Sequence, residues 1–360
     1  MTEARVIAFY LPQFYPIPEN DKWWGKGFTE WTNVGKAKPF FMGHYQPRVP
    51  ADLGYYDLRL TEVREAQAQM AREHGIEGFC YWHYWFGNGI RLLDRPFNEV
   101  LASGKPDFPF CLGWANHSWK AKTWTASKED KVLIEQKYPG IKDYSDHFFS
   151  VLPAFKDKRY IRINNMPLFI IWDPMDLPDA SAFIKHWNDL AKSNGLDGIH
   201  FIAYCVAKAN IEKYLELGFN SVTFDSIAEP FKNSNVLFRL YLWARRKFLA
   251  IPKSVNYKLY SRYVIKNTNV TENVFPCILP NFDHSPRSGK RALVLTNSTP
   301  ENFGKLFESL LINIRSKNSE NNIIFIKAWN EWGEGNYLEP DLKYGKGYLM
   351  KIKELLERYS

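Results

Sequence analysis

Residues 323–335 read Ile323-Ile324-Phe325-Ile326-Lys327-Ala328-Trp329-Asn330-Glu331-Trp332-Gly333-Glu334-Gly335. The opening residues are apolar and mostly β-branched, which favours a strand covered on both faces. Glu331 and Glu334 follow it on a turn rich in tryptophan and glycine. Carboxylates at the exit of a buried strand suit acid–base chemistry on a sugar or a similar polar substrate. An N-cap or a surface ion pair is the alternative, but no lysine or arginine separates the two glutamates, so we predict that both are catalytic.

The rest of the chain alternates strand-like and helical segments. Its 360 residues could form one large domain or two ordinary ones. The predicted strands cover residues 5–12, 78–84, 108–116, 167–174, 199–206, 221–226, 274–282 and 322–329. The predicted helices cover residues 60–74, 92–103, 143–156, 180–194, 210–217, 299–317 and 345–359. This order predicts an α/β fold, a single (β/α)8 TIM barrel over residues 1–360, with a doubly wound sheet as the alternative.

Polar and aromatic side chains stand at or just after the ends of these strands. In (β/α)8 enzymes the active site gathers at the carboxyl ends of the strands, so we expect these residues to line a substrate site. They are Tyr10, Gln13, Trp82, His83, Tyr84, Asn116, His117, Asp173, Tyr204, Asp225, Asp283 and Asn330. Asp225 and Asp283 could orient sugar hydroxyls or cap the loops that follow them. His83 and His117 could bind sugar or fill the core. Arg287 could bind a charged sugar or a phosphate, or form an ion pair within its loop.

Residues 14–56 form a loop that is too long for a simple connection after the first strand. Because it follows the carboxyl end of that strand, we expect a lid or a wall of the substrate site there. Its candidate substrate-binding residues are Trp24, Glu30, Trp31, His44 and Gln46. Tryptophan faces can stack on sugars, and Trp119 and Trp332 are further candidates, although the core is the commoner place for any single tryptophan.

Residues 232–271 hold nine lysine and arginine residues and no aspartate or glutamate. They account for the formal net charge of +8, so the remainder of the chain is close to neutral. Residues 236–249 mix apolar, aromatic and basic side chains. The segment could be the sixth barrel helix with a solvated basic edge, or a basic aromatic insertion that lies on an anionic membrane. Nucleic-acid binding ranks last, because no known motif accompanies the charge, and we expect no nucleic-acid partner.

The remaining signals concern metals and location. Cys80, Cys111, Cys205 and Cys277 fall in separate predicted strands without CxxC spacing, so we expect reduced structural thiols, no metal and no cofactor. The first residues run straight into a strand without a signal-peptide pattern. No apolar run approaches the roughly 20 residues of a membrane span. We therefore expect a cytoplasmic protein, peripheral to the inner membrane if the basic insertion binds there.

Several motifs together resemble the WbsX-type proteins of bacterial O-antigen and capsule loci, which are similar to glycoside hydrolase family 99. They are Phe9-Tyr10-Leu11-Pro12-Gln13-Phe14, Trp24-Gly25-Lys26-Gly27-Phe28-Thr29-Glu30-Trp31, His44-Tyr45-Gln46-Pro47, Gly78-Phe79-Cys80-Tyr81-Trp82-His83-Tyr84-Trp85, Trp114-Ala115-Asn116-His117 and Trp329-Asn330-Glu331-Trp332-Gly333-Glu334-Gly335. This resemblance covers nearly the whole chain. The last motif also resembles the Asn-Glu-Trp-His-Glu-Gly turn of the family 99 endo-α-mannosidases and endomannanases.

The family 99 resemblance implies a retaining, endo-acting (β/α)8 glycosidase without an enzymic nucleophile. By position, Glu331 would take the proton from the substrate's 2-hydroxyl, which attacks the anomeric carbon and gives a 1,2-anhydro sugar. Glu334 would protonate the departing oxygen and then activate water. The implied substrate is an oligosaccharide or polysaccharide, α-linked and free or lipid-linked, with Tyr10 as one of its contacts.

Gly333 departs from the family 99 pattern, which has a histidine at this place. Both carboxylates are kept, so we expect the chemistry to be retained and the sugar preference to change. A glycosyltransferase of O-antigen or capsule biosynthesis is the first alternative, although no nucleotide-binding glycine-rich turn or paired-aspartate metal motif is present. A non-catalytic glycan-binding barrel is the second.

Overall fold

Eight parallel strands close into a barrel in the computed structural model, which describes residues 4–121, 131–205, 211–267 and 271–359. The strands are β1 Arg5–Tyr10, β2 Gly78–Trp85, β3 Phe110–Trp114, β4 Met166–Ile171, β5 His200–Tyr204, β6 Ser221–Phe224, β7 Val274–Ile278 and β8 Ile323–Ile326. β1 pairs on one side with β2 and on the other with β8, so the sheet has no free edge. The predicted (β/α)8 barrel is confirmed, and the doubly wound alternative is wrong.

Helices surround this barrel. The longer ones are α1 Thr61–Glu73, α2 Arg95–Ser103, α3 Ile141–Phe155, α4 Ala180–Ser193, α5 Ile211–Glu216, α6 Val236–Leu249, α7 Tyr257–Asn267, α8 Pro300–Ile314 and α9 Gly347–Tyr359. Short helices span Pro18–Trp24, Glu30–Lys36, Glu229–Lys232 and Ser285–Ser288. Some predicted residues lie outside the described part of the chain. They are residue 206 of the predicted fifth strand, residue 210 of the next predicted helix and residues 268–270 of the basic segment.

Two helix starts show how well local signals predict boundaries. The Thr299 side chain accepts a hydrogen bond from the Asn302 amide, and Pro300 occupies the first turn of α8, as the cap-plus-proline pattern predicts. Asp143, the first residue of the predicted helix 143–156, does not cap α3, which begins at Ile141. That carboxylate instead accepts hydrogen bonds from the Trp85 indole at 3.1 Å and from the Asn88 amide at 2.6 Å. It therefore joins the end of β2 to α3.

Successive strand residues point alternately into the barrel and towards the helices. Phe9 faces inward, where its ring stacks 4.6 Å from that of Trp82. Its neighbour Tyr10 faces outward and donates a 2.6 Å hydrogen bond to Gln67 on α1. This alternation decides which of the residues at each strand end can reach a substrate.

The basic segment contributes two helices with different roles. α7 packs on α8, and its Tyr257 and Tyr260 are fully buried and hydrogen-bonded to the backbone of Leu279. It is therefore the sixth helix of the barrel. α6 is an additional helix inside the connection from β6 to α7, so only the C-terminal part of the basic segment forms the sixth barrel helix. Within the described part of the chain, no helix has the length and apolarity of a membrane span.

Candidate active site

Glu331 and Glu334 stand on a tight turn beyond β8. The chain passes a cis Lys327–Ala328 peptide and forms an antiparallel pair of Asn330–Glu331 with Asn336–Tyr337. A 3-10 turn over Trp332–Glu334 joins the two short strands, and Gly335 ends it at φ 52°, a left-handed conformation that suits glycine. This geometry places both carboxyl groups at the C-terminal mouth of the barrel.

A pocket of about 150 Å³ opens at this mouth. It is lined by Leu11, Trp82, Tyr84, Ala115, His117, Trp119, Trp172, Arg287, Lys327, Glu331 and Glu334. The lining combines aromatic rings with two carboxyl groups and two cations. Such a concave mixture of apolar walls and a few convergent polar groups is typical of a small-molecule or sugar site.

One guanidinium group connects the acidic residues. Nη1 of Arg287 lies 2.8 Å from Oε1 of Glu334 and 3.7 Å from Oε1 of Glu331. Its Nη2 lies 2.5 Å from Oε2 of Glu30, which is fully buried. The Arg287 side chain is only 2% exposed, so all of these interactions take place away from bulk water.

The two carboxyl groups differ in ionisation. Burial and the charge of Glu334 raise the pKa of Glu331 to about 8. Burial also opposes ionisation of Glu334, but the Arg287 charge and the His284 hydrogen bond outweigh it and hold the pKa of Glu334 well below its usual range. Oε2 of Glu331 is buried and has no hydrogen-bond partner among the described residues. The pair thus keeps one proton at neutral pH, and Glu331 carries it.

Lys327 supplies the second cation of the pocket. Its Nζ lies 3.7 Å from Oδ2 of Asp225 and 4.7 Å from the centre of the Trp172 ring. Burial lowers the pKa of Lys327, but the charges of Glu334, Asp225 and Glu331 outweigh it and raise the pKa above its usual value. Lys327 is therefore charged beside the carboxyl pair.

Gly333 lies where the buried Glu30–Arg287 ion pair crosses the turn. A Cβ atom built on Gly333 would fall 2.8 Å from Cδ of Glu30 and 2.9 Å from Nε of Arg287. Real Cβ atoms do not approach other atoms so closely. Glycine is thus required here by the ion pair, not by a left-handed backbone.

The first loop supports the turn from behind. Oδ2 of the fully buried Asp283 lies 2.7 Å from both His44 Nε2 and Gln46 Nε2. Burial opposes this charge, but the His44 hydrogen bond and the Arg48 charge lower the pKa of Asp283 to about 2. Arg48 also donates a 2.9 Å hydrogen bond to the Gly335 carbonyl. None of residues 14–56 lines the pocket.

A buried carboxyl group fixes the far side of the turn. Glu339 accepts hydrogen bonds from the Trp332 indole at 2.6 Å, the Gln67 amide at 2.6 Å and the Tyr56 hydroxyl at 2.8 Å. Burial raises the pKa of Glu339 to about 7, although these donors favour its charged form. Trp332 therefore acts as a support next to Glu331.

The predicted site residues fall into four groups. The pocket brings together Trp82, Tyr84, His117, Trp119, Arg287, Glu331 and Glu334. A second group lies behind the turn and holds it in place. It consists of Glu30, Trp31, His44, Gln46, Asp283, Asn330 and Trp332. Tyr204 and Asp225 contact each other at 2.6 Å and place Lys327.

The other predicted residues do not reach the pocket. Tyr10 and His83 point outward between pocket-facing neighbours, and His83 pairs with His147 at 2.8 Å. Asn116 joins the ends of β3 and β4 through the backbone of Asp173. Gln13 is fully buried, and Trp24 packs near Phe28.

Sequence reasoning missed Lys327, Leu11 and Ala115. Lys327 carried a usable signal, because a lysine at the end of a buried apolar strand needs a charged partner. The alternation of strand residues would have found Leu11 and Ala115 as the inward-facing neighbours of Tyr10 and Asn116.

A family model and two curated relatives match nearly the whole length of this chain. The model of the family described as glycosyltransferase WbsX matches residues 6–352. The WxcX proteins of two Xanthomonas campestris pv. campestris strains are 34% identical over 359 residues, which is 99% of this chain and 50% of each relative. The chain thus spans about half the length of the curated relatives it matches.

Solved structures extend the comparison to the fold. The GH99 endo-α-mannosidase of Bacteroides thetaiotaomicron, in complex with bis-tris-propane, superposes with a TM-score of 0.59 at 15% identity, covering 100% of this chain and 98% of that one. A glycoside hydrolase-like protein superposes with a TM-score of 0.59 at 16% identity, covering 99% of this chain and 94% of that one. At such identities the likeness shows a shared fold.

Proposed function

This chain belongs to the WbsX family, and from that premise we propose that it is a carbohydrate-active enzyme, a retaining endo-type glycosidase or transglycosylase. Its substrate is an α-linked bacterial polysaccharide. One observation carries this proposal: two buried carboxyl groups share a single arginine at the mouth of the barrel. A pair with unequal ionisation is what acid–base catalysis on a glycosidic bond requires.

The reaction uses the 2-hydroxyl of the substrate. Glu331 accepts the proton of this hydroxyl while its oxygen attacks the anomeric carbon. The bond from that carbon to the leaving oxygen breaks, and Glu334 gives a proton to the leaving oxygen. Water then opens the 1,2-anhydro sugar, passing its proton to Glu334 while Glu331 returns its proton to the 2-oxygen. In transglycosylation a sugar hydroxyl takes the place of water.

These roles require the shared proton to lie on Glu334 at the start of the reaction, whereas the empty pocket holds it on Glu331. We infer that substrate binding transfers it. A glycosidic oxygen placed against Glu334 favours the protonated acid there, and a 2-hydroxyl placed against Glu331 favours a carboxylate. The pair as a whole keeps one proton throughout.

The aromatic walls supply the sugar subsite. Trp172 stacks on Tyr204 at 4.2 Å, and Trp119 contacts Tyr84 edge-on at 5.1 Å, so both rings are held in place. Trp82 forms a third ring of the lining. Rigid ring faces of this kind suit the C–H faces of a pyranose, and they bind with little loss of side-chain entropy.

The first experiment separates the roles of the two glutamates. Glu331→Gln and Glu334→Gln should each lower turnover of the natural polysaccharide by at least about 100-fold, the typical contribution of general acid–base catalysis. An aryl glycoside with a highly acidic leaving group should restore activity to Glu334→Gln only, because such a group departs without protonation. Restoration in Glu331→Gln alone would mean that the roles are exchanged.

The control is Glu357→Gln, since Glu357 is 67% exposed on the last helix. It should keep wild-type activity. NMR of the first product should show retention of the anomeric configuration, and inversion would contradict the 1,2-anhydro route.

A glycosyltransferase is the second candidate function, favoured by the description of the matching family. It predicts calorimetrically detectable binding of a nucleotide sugar. A glycan-binding barrel without catalysis is the third, and it predicts oligosaccharide binding with no product at any enzyme concentration.

A further inference from the structure

The surface helix α6 exposes an unusual amount of apolar side chain. Leu237 is 76% exposed, Phe248 70% and Val236 66%. Leu249, Leu240, Tyr241 and Trp243 are also exposed. Leu242 is the only residue of the helix that is buried. Single apolar residues on a surface are ordinary, but a contiguous set on one element marks an interaction site.

Six of these seven side chains form one face of α6, and Leu249 lies outside it. Leu237, Tyr241 and Phe248 recur at helical spacing and lie along one row. Val236, Leu240 and Trp243 form the adjacent row, again at helical spacing. Leu242 is on the opposite side, where it attaches the helix to the body of the protein. The exposed face is therefore continuous and turned away from the core.

Basic residues accompany this face. Lys247 lies 4.6 Å above the Trp243 ring, and Arg245 lies 5.3 Å above the Tyr241 ring. Arg239 is exposed, and Arg246 is half-buried. Across the described part of residues 232–271, none of the nine cations forms an ion pair with a described acidic residue. The charge is thus available to an external anion.

The topology places α6 on the same side of the barrel as the pocket. It lies in the connection that follows β6, at the end where Asp225 meets Lys327. The strand after it, Lys253–Asn256, pairs in parallel with Leu293–Thr296. That second strand belongs to the connection that carries Arg287. α6 is therefore inserted at the C-terminal side of the barrel, the side that carries the pocket.

We propose that α6 docks this protein on an anionic phospholipid bilayer. The exposed Leu, Phe and Trp side chains enter the headgroup region, and the basic residues bind lipid phosphates. Lysine and arginine can bury their stems beside the inserted rings while their charged ends reach the headgroups. The proposal is independent of the proposed catalytic function.

A second copy of the chain is a poor occupant of this face. Symmetric pairing would set the same patch against itself, so the cations of one α6 would oppose those of the other. A bilayer with acidic headgroups has the complementary charge. Charge complementarity thus selects the membrane over a homodimer.

The test is co-sedimentation with vesicles of phosphatidylglycerol and phosphatidylcholine, and with vesicles of phosphatidylcholine alone. We expect binding to the acidic vesicles at low salt and release at about 1 M salt, where the Debye length falls to about 3 Å. The variant Arg239→Glu/Arg246→Glu/Lys247→Glu should lower partitioning at least about tenfold. The variant Leu237→Ser/Leu240→Ser/Phe248→Ser should lower it as well.

A matched control carries the same change of charge elsewhere. Lys192→Glu/Lys213→Glu/Lys305→Glu alters three exposed lysines on other helices, and it should bind nearly as well as the wild type. Failure of the wild type to bind acidic vesicles at low salt would overturn the proposal. So would equal loss in the control, or a solution dimer that the serine variant dissociates. Unchanged glycan turnover in the serine variant would show that docking and catalysis are separate.

Discussion

The carboxylate of Glu30 fills the space that a side chain at Gly333 would need, with its Cδ 2.8 Å from the position of a Cβ atom on Gly333. The two residues are 303 positions apart in sequence, since 333 minus 30 is 303. Their contact connects the first loop to the catalytic turn. A larger residue at 333 is compatible with this turn only if the ion pair moves.

Gly333→Ala should lower the free energy of unfolding by about 1–3 kcal/mol, the usual cost of forcing an added methyl into a filled space. It should also displace Glu331 and lower turnover. Urea denaturation and initial rates measure the two effects. Gly35→Ala is the matched control, because a Cβ there meets nothing within 4 Å, and the added helix propensity should leave stability equal or higher.

Introducing Glu30→Ala together with Gly333→Ala tests the contact itself. If the two residues compete for the same space, the double variant should lose less stability than the sum of the single variants. Strict additivity would show that the close approach does not determine the choice of glycine.

Arg287→Met should leave Glu30 as an unpaired buried carboxyl and cost about 3–5 kcal/mol of stability. Since Arg287 is the main charge that keeps Glu334 ionised, the same variant should raise the pKa of Glu334. Urea unfolding checks the first effect and the acid limb of the pH–rate profile checks the second. Asp189→Asn removes an exposed helix pair with Lys185, so the stability of this variant should stay close to that of the wild type.

The pH dependence follows from the shared proton. With the Glu331 pKa near 8, the singly protonated pair persists up to that pH and is lost above it. We therefore expect kcat/KM, which reports the free enzyme, to fall as pH rises through about 8. A profile that rises through pH 8 would show that the doubly ionised pair is active.

Stability should respond to the same group. The folded-state pKa of Glu331 is above its ordinary value of 4.5, so the folded protein holds a proton that the unfolded chain releases. The free energy of unfolding should therefore fall as pH rises from about 4.5 to about 8. Glu331→Gln removes this titration, and its Tm advantage over wild type should be greater at pH 9 than at pH 4.5.

Lys327→Met provides an independent perturbation of the pair. Lys327 favours the ionised form of Glu331, so its removal should shift the alkaline limb of kcat/KM upward and lower kcat by roughly tenfold or more. Lys346→Met is the control, because Lys346 is 41% exposed and pairs with Asp52 away from the pocket. An unshifted limb would show that Lys327 does not act on the pair.

The sequence predicts much of this molecule because its strand signals are local. Short apolar and aromatic runs predict all eight strands, and the aromatic Glu–Glu turn predicts where the carboxyl groups lie. Which way each side chain points depends on which residues of the strand face inward. A shift of one residue would turn every pocket-facing side chain towards the helices. Tyr10 and His83 illustrate this, since each lies between two inward-facing residues.

Contacts between residues that are far apart in sequence could not be predicted from local patterns. Glu30 and Arg287 belong to loops at opposite ends of the sequence, and only the closed barrel brings them together. The basic segment posed the same problem, because composition does not show which of its two helices packs on the barrel. Burial of Tyr257 and Tyr260 decides this in the structure.

The attachment of the first loop to the catalytic turn has a consequence for chimaeras between relatives. Glu30 contacts Arg287, His44 and Gln46 both contact Asp283, and Arg48 donates to the Gly335 carbonyl. A loop transplanted from another protein would arrive without matching anchors and would leave buried charges unpaired. Residues 14–56 and the segments around 283–287 and 330–335 should therefore be exchanged together, as one module, when substrate preference is moved from one barrel to another.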